Sequence, residues 1–81
     1  MPLFMDFHPD LKLPAEVIAQ LAEDTRSGTA DPFGVRQVEL YHNAAGNVYC
    51  LLDGPDEEAI RQHHAAHGVP CGDVHEVGTL R

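Results

Sequence analysis

The sequence predicts a small α+β domain whose strands and helices follow in the order β-α-β-β-α-β. Three observations support this: alternating side chains near the N-terminus, two segments with helical spacing, and a glycine-containing turn between two apolar runs. With 81 residues, we expect one domain, 1–81. Its core is small, so a partner subunit or a bound metal is expected to add stability.

The first half of the chain predicts a strand, a helix and a second strand. Residues 2–8 alternate, and the two faces carry different sets: Leu3, Met5 and Phe7 on one, Phe4, Asp6 and His8 on the other. Pro14 suits the first turn of a helix, and apolar residues at helical spacing follow as far as Ser27 and Gly28. After a loop, residues 35–42 are predicted as the second strand.

The second half predicts a hairpin, a helix and a last strand. Residues 43–47 form the hairpin turn, in which Gly46 is free to take a positive φ. Residues 47–53 are almost continuously apolar, which is typical of a strand buried on both faces. Pro55 opens a helix with an acidic first turn, and Gly68 followed by Pro70 ends it. Residues 73–80 form the last strand.

This order of elements is that of the ferredoxin-like sandwich, a four-stranded antiparallel sheet with strand order 4-1-3-2 and two helices on one face. The other face is open, and we expect it to hold Phe4 and alternate residues of the third strand. Which alternate residues these are stays undecided: Val48, Cys50 and Leu52, or Tyr49 and Leu51. Apolar side chains on an open face favour a homodimer that covers it.

The charge of the chain excludes some classes of partner. Thirteen acidic residues against five basic ones give a net charge of −8, which repels nucleic acids and anionic membranes. The sequence has no membrane-length apolar run and no basic N-terminal region of a signal peptide. Cys50 and Cys71 are too few for a disulfide scaffold and indicate a reducing compartment. We therefore expect a cytoplasmic protein.

Six histidines in so short a chain indicate metal binding. The topology brings His8, His42, His67, His75 and Cys71 towards one end of the sheet. On the second helix three histidines share one arc, and two of them have the i, i+4 spacing that can hold one ion. The candidate ligands are His63, His64, His67, His8 and His75, with Asp6, Cys50 and Cys71 as weaker ones. Imidazole suits zinc, copper, iron and nickel alike.

Other interpretations of these residues stay open. The histidines are also explained as a solvated surface, Cys50 as a small buried hydrophobe and Cys71 as a loop thiol. Asp6, expected on the inner face of the dimer, needs a partner such as His8 or a metal. The alternative function is a small dimeric α/β-barrel enzyme of monooxygenase or isomerase type, with a pocket near Asp6, Tyr41 and Cys50. The sequence has no catalytic motif.

Several segments together resemble a known family. They are Val48-Tyr49-Cys50, Gly54-Pro55 with the acidic turn and Ala59-Ile60-Arg61, His63 or His64, Gly68, Pro70, and Glu76-Val77. The chain resembles small bacterial ferredoxin-like proteins long catalogued as a domain of unknown function. That family includes an actinobacterial nickel-binding, nickel-responsive dimer, to which the opening MPLFMDFH is also similar. The resemblance implies a homodimer that binds Ni²⁺ through histidines and carboxylates, for sequestration or detoxification, with Zn²⁺, Cu²⁺ or Co²⁺ as substitutes in vitro.

Overall fold

Six elements occur in the predicted order: β1 (Leu3–His8), α1 (Ala15–Ser27), β2 (Arg36–His42), β3 (Val48–Asp53), α2 (Glu57–Ala66) and β4 (Val74–Val77). They are seen in a computed structural model that describes residues 2–11, 13–78 and 80. The strands form one antiparallel sheet in the order β2-β3-β1-β4. The predicted ferredoxin-like arrangement is confirmed. Within the described residues no helix has the length and apolarity that a membrane span needs.

The register of the sheet places β1 at its centre. On one side β1 pairs with β3, from Leu3 opposite Asp53 to His8 opposite Val48. On the other side it pairs with the short strand β4, where Asp6 lies opposite Val74. The middle of β1 is therefore flanked by backbone on both sides, which holds its side chains in fixed directions.

The helices cover the face of β1 that carries Phe4, Asp6 and His8. Phe4 is 4% exposed and packs in one core cluster with α2 residues, whereas Phe7 on the other face is 44% exposed. The prediction that Phe4 lies on the open face, and Asp6 with it, is therefore wrong. The apolar face of β1, with Leu3, Met5 and Phe7, is the one expected to meet the helices. The other face does so because Asp6 and His8 contact a polar partner on α2, His64.

The same register decides between the two sets of residues on β3. Val48, Cys50 and Leu52 point into the core beneath α2, and Tyr49 on the other face is 36% exposed. The open face therefore carries Tyr49 together with Leu51, which is itself 9% exposed. Burial of β3 on both faces is interrupted only at Tyr49.

Helix α2 is held tightly against the core. The Asp56 carboxylate accepts a hydrogen bond from the Ala59 backbone N–H at 2.8 Å and caps the first turn. Ile60 is fully buried. Gly54 lets the helix approach, since a Cβ there would lie 3.1 Å from Ile60 Cδ1 and 3.2 Å from Val35 Cγ2. The chain leaves the helix through Gly68, which has a φ of +67° as the sequence predicts.

Helix α1 packs much less closely. It begins after Pro14 and ends at Gly28, as predicted; Gly28 adopts the left-handed conformation, and no residue of the helix is buried. Val17, on its apolar side, is 38% exposed. Because α1 stands off from the sheet, space remains between the two helices and the strands.

Candidate metal centre

Asp6 is the central feature of the buried polar cluster. Its carboxylate is completely inaccessible to solvent, at the middle of β1 and beneath α2. Neither of its oxygens has a hydrogen-bond partner among the described residues. Burial of a carboxylate without hydrogen bonds destabilises the folded state by several kcal/mol unless a cation compensates its charge. This position therefore calls for a positive charge close to Asp6.

Two histidines lie against the carboxylate, one at each oxygen. His8 Nε2 lies 3.3 Å from Asp6 Oδ1, and His64 Nε2 contacts Asp6 Oδ2. Neither contact has the geometry of a hydrogen bond, so His8 Nε2 is a third buried polar atom without a partner in the described part of the chain. The two imidazole rings lie 5.1 Å apart between centroids. Three buried atoms that could bind a metal, the two Asp6 oxygens and His8 Nε2, therefore lie close together without hydrogen bonds among the described residues.

The orientation of His64 is set by the backbone of its own helix. His64 Nδ1 lies 2.8 Å from the carbonyl oxygen of Ile60. A carbonyl only accepts, so Nδ1 must carry the proton and donate it. In a neutral ring Nε2 then presents a lone pair towards Asp6, and the two repel each other unless a proton or a metal ion lies between them. Metal-binding histidines are commonly oriented by such a bond at the second nitrogen.

Two thiols complete the cluster. Asp6, His64 and Cys71 offer ligand atoms that all lie within 4.8 Å of one another, and so do Asp6, His8 and Cys50. Both cysteines are free, Cys50 buried and Cys71 half-buried. Asp6 belongs to both groups. The geometry therefore suits either one ion held mainly by Asp6 and one group, or an ion shared by both.

The proton equilibria at the cluster follow from burial and charge. Burial raises the pKa of Asp6, but the adjoining imidazole of His64, together with His8 and Cys50, outweighs it and holds the pKa below its usual value. Burial disfavours protonated His64, yet Asp6 and the Ile60 carbonyl raise its pKa overall. Without metal, the site therefore favours an imidazolium paired with a carboxylate.

Both thiols hold their protons firmly. Burial, with the negative charge of Asp6 in addition, raises the pKa of Cys50 and of Cys71. The Arg61 guanidinium, whose Nη1 lies 4.0 Å from Cys71 Sγ, acts in the opposite direction on Cys71. An arriving metal ion would therefore have to displace protons, and a thiolate forms most readily at Cys71.

His63, on α2, and His67, its C-cap residue, belong to neither group of candidate ligands around Asp6. His63 Nδ1 lies 2.5 Å from Asp31 Oδ2, and His67 Nδ1 donates to the His63 carbonyl at 2.9 Å. The His63 and His67 rings are 4.6 Å apart between centroids, and both have Nε2 uncommitted in these contacts. Sharing of one ion by His63 and His67 remains a prediction.

Asp31 is a site residue that the sequence reasoning missed. Its Oδ1 accepts hydrogen bonds from the backbone N–H groups of Phe33 and Val35 at 2.9 and 3.0 Å, which leaves Oδ2 for His63. The Asp-Pro pair in a predicted loop was the available signal, since aspartate in a turn bonds the backbone two residues on. Burial raises the pKa of Asp31, but these N–H groups and His63 outweigh it and lower the pKa overall.

The remaining predicted residues lie apart from the cluster. His75 is exposed and lies opposite Met5, on the face of the sheet away from Asp6. The expectation that it would gather with His8 is wrong, because one residue of register changes the face of a strand. His42 reaches the same end of the sheet as His8 but is exposed on the edge strand.

A cavity of about 460 Å³ adjoins the cluster, between α1, the sheet and α2. His8, His64 and Cys50 of the cluster line it, as do His63 and His67, and most of its wall is apolar. Tyr41 does not line it: this side chain is 54% exposed on the other face of the sheet. The prediction of a pocket near Asp6, Tyr41 and Cys50 is therefore wrong for Tyr41, because that side chain lies on the face of the sheet away from the helices.

Comparisons with known proteins agree with this architecture. The sequence profile of the family described as "Nickel responsive protein SCO4226-like" matches residues 4–77. The crystal structure of SCO4226 from Streptomyces coelicolor A3(2) is similar to the chain, with a TM-score of 0.74 and 25% sequence identity. The alignment covers 98% of this chain and 99% of that chain. No curated protein matches significantly.

Proposed function

Because the chain belongs to the SCO4226-like family of nickel-responsive proteins, we propose that it binds Ni²⁺ at the Asp6 cluster. One observation carries this proposal: both Asp6 oxygens and His8 Nε2 are buried without a hydrogen bond among the described residues, although imidazole nitrogens lie against both oxygens. A divalent cation at this point would compensate the carboxylate and accept the lone pairs of the imidazoles.

The donor set fits nickel chemically. His8, His64 and Asp6 offer nitrogen and oxygen ligands, and Cys50 and Cys71 add sulfur. Nickel accepts imidazole, carboxylate and thiolate ligands, as do copper, zinc and cobalt with different preferred geometries. Binding should release protons, because the raised pKa values of His64 and the thiols keep those groups protonated in the free protein.

The test is native mass spectrometry of tag-free protein titrated with Ni²⁺, and in parallel with Zn²⁺, Cu²⁺ and Co²⁺. We expect a fixed, small number of nickel ions per chain, with one ion lost in His64→Asn. His75→Asn is the matched control, since it removes an exposed imidazole on the other face of the sheet. Equal nickel uptake by both variants would refute the assignment of the cluster.

We propose a second, more exposed site at His63 and His67. The support is the short distance between their rings and the carboxylate of Asp31 against His63. Replacing both histidines with asparagine should remove one equivalent of nickel and leave the ion at Asp6 in place. An unchanged stoichiometry in calorimetry would rule out the second site.

We propose sequestration as the role of nickel binding. The donors at Asp6 and His8 are 0% and 5% exposed, so release of an ion there should require protonation of the site or movement of the elements packed around it. Competition with an excess of chelator tests this. Slow release that does not depend on chelator concentration supports sequestration, and rapid transfer that rises with chelator concentration indicates delivery instead.

We also propose that the protein is a homodimer through the open face of the sheet. Phe7, Tyr41 and Tyr49 are 44%, 54% and 36% exposed there, and the Phe7 and Tyr49 rings contact each other at a tilt of 35° with centroids 4.9 Å apart. Aromatic side chains grouped on one face are typical of interface cores. Sedimentation should show that Phe7→Glu is monomeric, while Phe33→Glu, in a loop, stays dimeric. A monomeric wild type would refute this.

The proposed role is non-catalytic and cytoplasmic. Burial keeps Cys50 protonated, which opposes a nucleophilic function for the thiol in the cavity. Both cysteines are free, a state that a reducing compartment maintains. Cell fractionation tests the location, and recovery of the protein outside the cytoplasm would contradict it.

A further inference from the structure

The cavity beside the metal cluster has walls of two kinds. Apolar side chains from the loop before α1, from α1, from β2 and from the segment after α2 form most of it: Leu11, Leu13, Val17, Leu21, Leu40 and Val69. Four histidines also line it. At its buried end the His8 and His64 rings lie 5.1 Å apart between centroids, and His8 Nε2 has no hydrogen-bond partner among the described residues. Its volume of about 460 Å³ lies within the usual range for small-molecule sites.

The charges around the cavity select among ligands. Asp24 and Asp31 line it, and among the described lining residues there is no lysine or arginine. The chain as a whole carries a net charge of −8. A carboxylate or phosphate entering here would meet only negative charge, apart from a protonated histidine. A neutral molecule avoids that repulsion.

The open packing of α1 gives such a molecule a way in. No residue of α1 is buried, although Val17 and Leu21 present apolar surface to the cavity. A ligand with an apolar body would cover this surface and remove it from water, which is favourable in proportion to the area covered. The apolar side of the helix thus lacks the packing that the rest of the core has.

We propose that this cavity binds a small neutral molecule with an apolar body and one heteroaromatic nitrogen, and that this nitrogen lies at the His8 and His64 end. This site goes beyond nickel binding and does not need a metal ion for its apolar contacts. When nickel is bound, the same nitrogen would lie next to the ion.

The test uses metal-free protein at about pH 8, where the free probes imidazole and 4-phenylimidazole are neutral. Calorimetry compares 4-phenylimidazole, which has the apolar body, with imidazole, which lacks it, and with phenylacetate, which is anionic. We expect 4-phenylimidazole to bind at least about tenfold more tightly than either of the others. Equal affinities, or preference for phenylacetate, would overturn the proposal.

A pair of variants locates the binding. Val17→Trp fills the cavity and should weaken 4-phenylimidazole at least about tenfold, while Ala19→Trp, exposed on the same helix, should not. If Val17→Trp unfolds, amide chemical shifts of the wild type decide instead. Shifts at Leu21 and Leu40 with none at Tyr41 and His75 support the site, and the opposite pattern refutes it. Because no metal is present, failure of nickel binding would not affect this result.

Discussion

Replacement of Asp6 by asparagine should abolish the stabilisation that nickel gives to the fold. Asp6 belongs to both groups of candidate ligands. Removing its charge should therefore weaken metal binding whichever group holds the ion. Asparagine keeps the size of the side chain and removes that charge. The expected effect is therefore on metal-linked stability more than on packing.

The magnitude follows from linkage. At free nickel one hundred times Kd, a ligand that binds only the folded state adds about 2.7 kcal/mol. For a domain of this size each kcal/mol raises Tm by about 4–8 °C, which gives a rise of about 10–20 °C. If Asp6→Asn weakens binding about a hundredfold, the gain falls to about 0.4 kcal/mol, a rise of about 2–3 °C.

The assay is thermal unfolding followed by circular dichroism, with nickel and with chelator, for the wild type, Asp6→Asn and His75→Asn. The His75 variant should keep the full nickel-induced rise, because that imidazole is exposed on the other face of the sheet. A full rise in Asp6→Asn would contradict the role of Asp6 as a nickel ligand, and so would an equal loss in both variants.

Three further predictions concern protons and packing. Nickel affinity should still increase as the pH rises above 6.5, the ordinary imidazole pKa, because the raised pKa of His64 keeps a competing proton on its ring. Nickel titrations at several pH values test this. A pH dependence of the affinity with its midpoint below 6.5 would contradict it. The lowered pKa of Asp31 adds stability that is present above 3.8 and is lost as pH falls through the folded value, so denaturation of Asp31→Asn should show less acid sensitivity than the wild type. Gly54→Ala should cost about 1–3 kcal/mol in denaturant unfolding, because the added Cβ presses on Ile60 and Val35; no loss would show that Ile60 can shift.

Most of the fold could be predicted because its signals are local. The end of α1 at Gly28 and the exit from α2 at Gly68 depend on residues that adopt positive φ, and both follow from the sequence alone. The order of the strands follows from the order of the elements. The β-bulge between Gln37 and Glu39 has no such local signal.

Most residues of the candidate site could be predicted from the sequence, but the contacts between them could not. Alternation in β1 separates Phe4, Asp6 and His8 from Phe7, but the pattern does not say which face meets the helices. That choice depends on a contact between Asp6 and His64, 58 positions apart in the sequence. The partnership of Asp31 with His63 is equally long-range. The spacing of the histidines on the second helix predicts that they share one side of it. In the structure, however, His64 is buried and His67 is exposed.

The position of Asp6 has a consequence for the lifetime of the protein. An ion held by Asp6 and Cys71 would tie together points close to the two ends of the chain, as a long-range covalent cross-link does. Such a link restricts the unfolded chain most when the loop it closes is longest. Proteases cut the opened form of a small domain, so degradation should slow when nickel is plentiful and quicken when it is scarce. Limited proteolysis at matched nickel and chelator concentrations would show whether the amount of protein itself reports the supply of metal; equal cleavage rates would show that it does not.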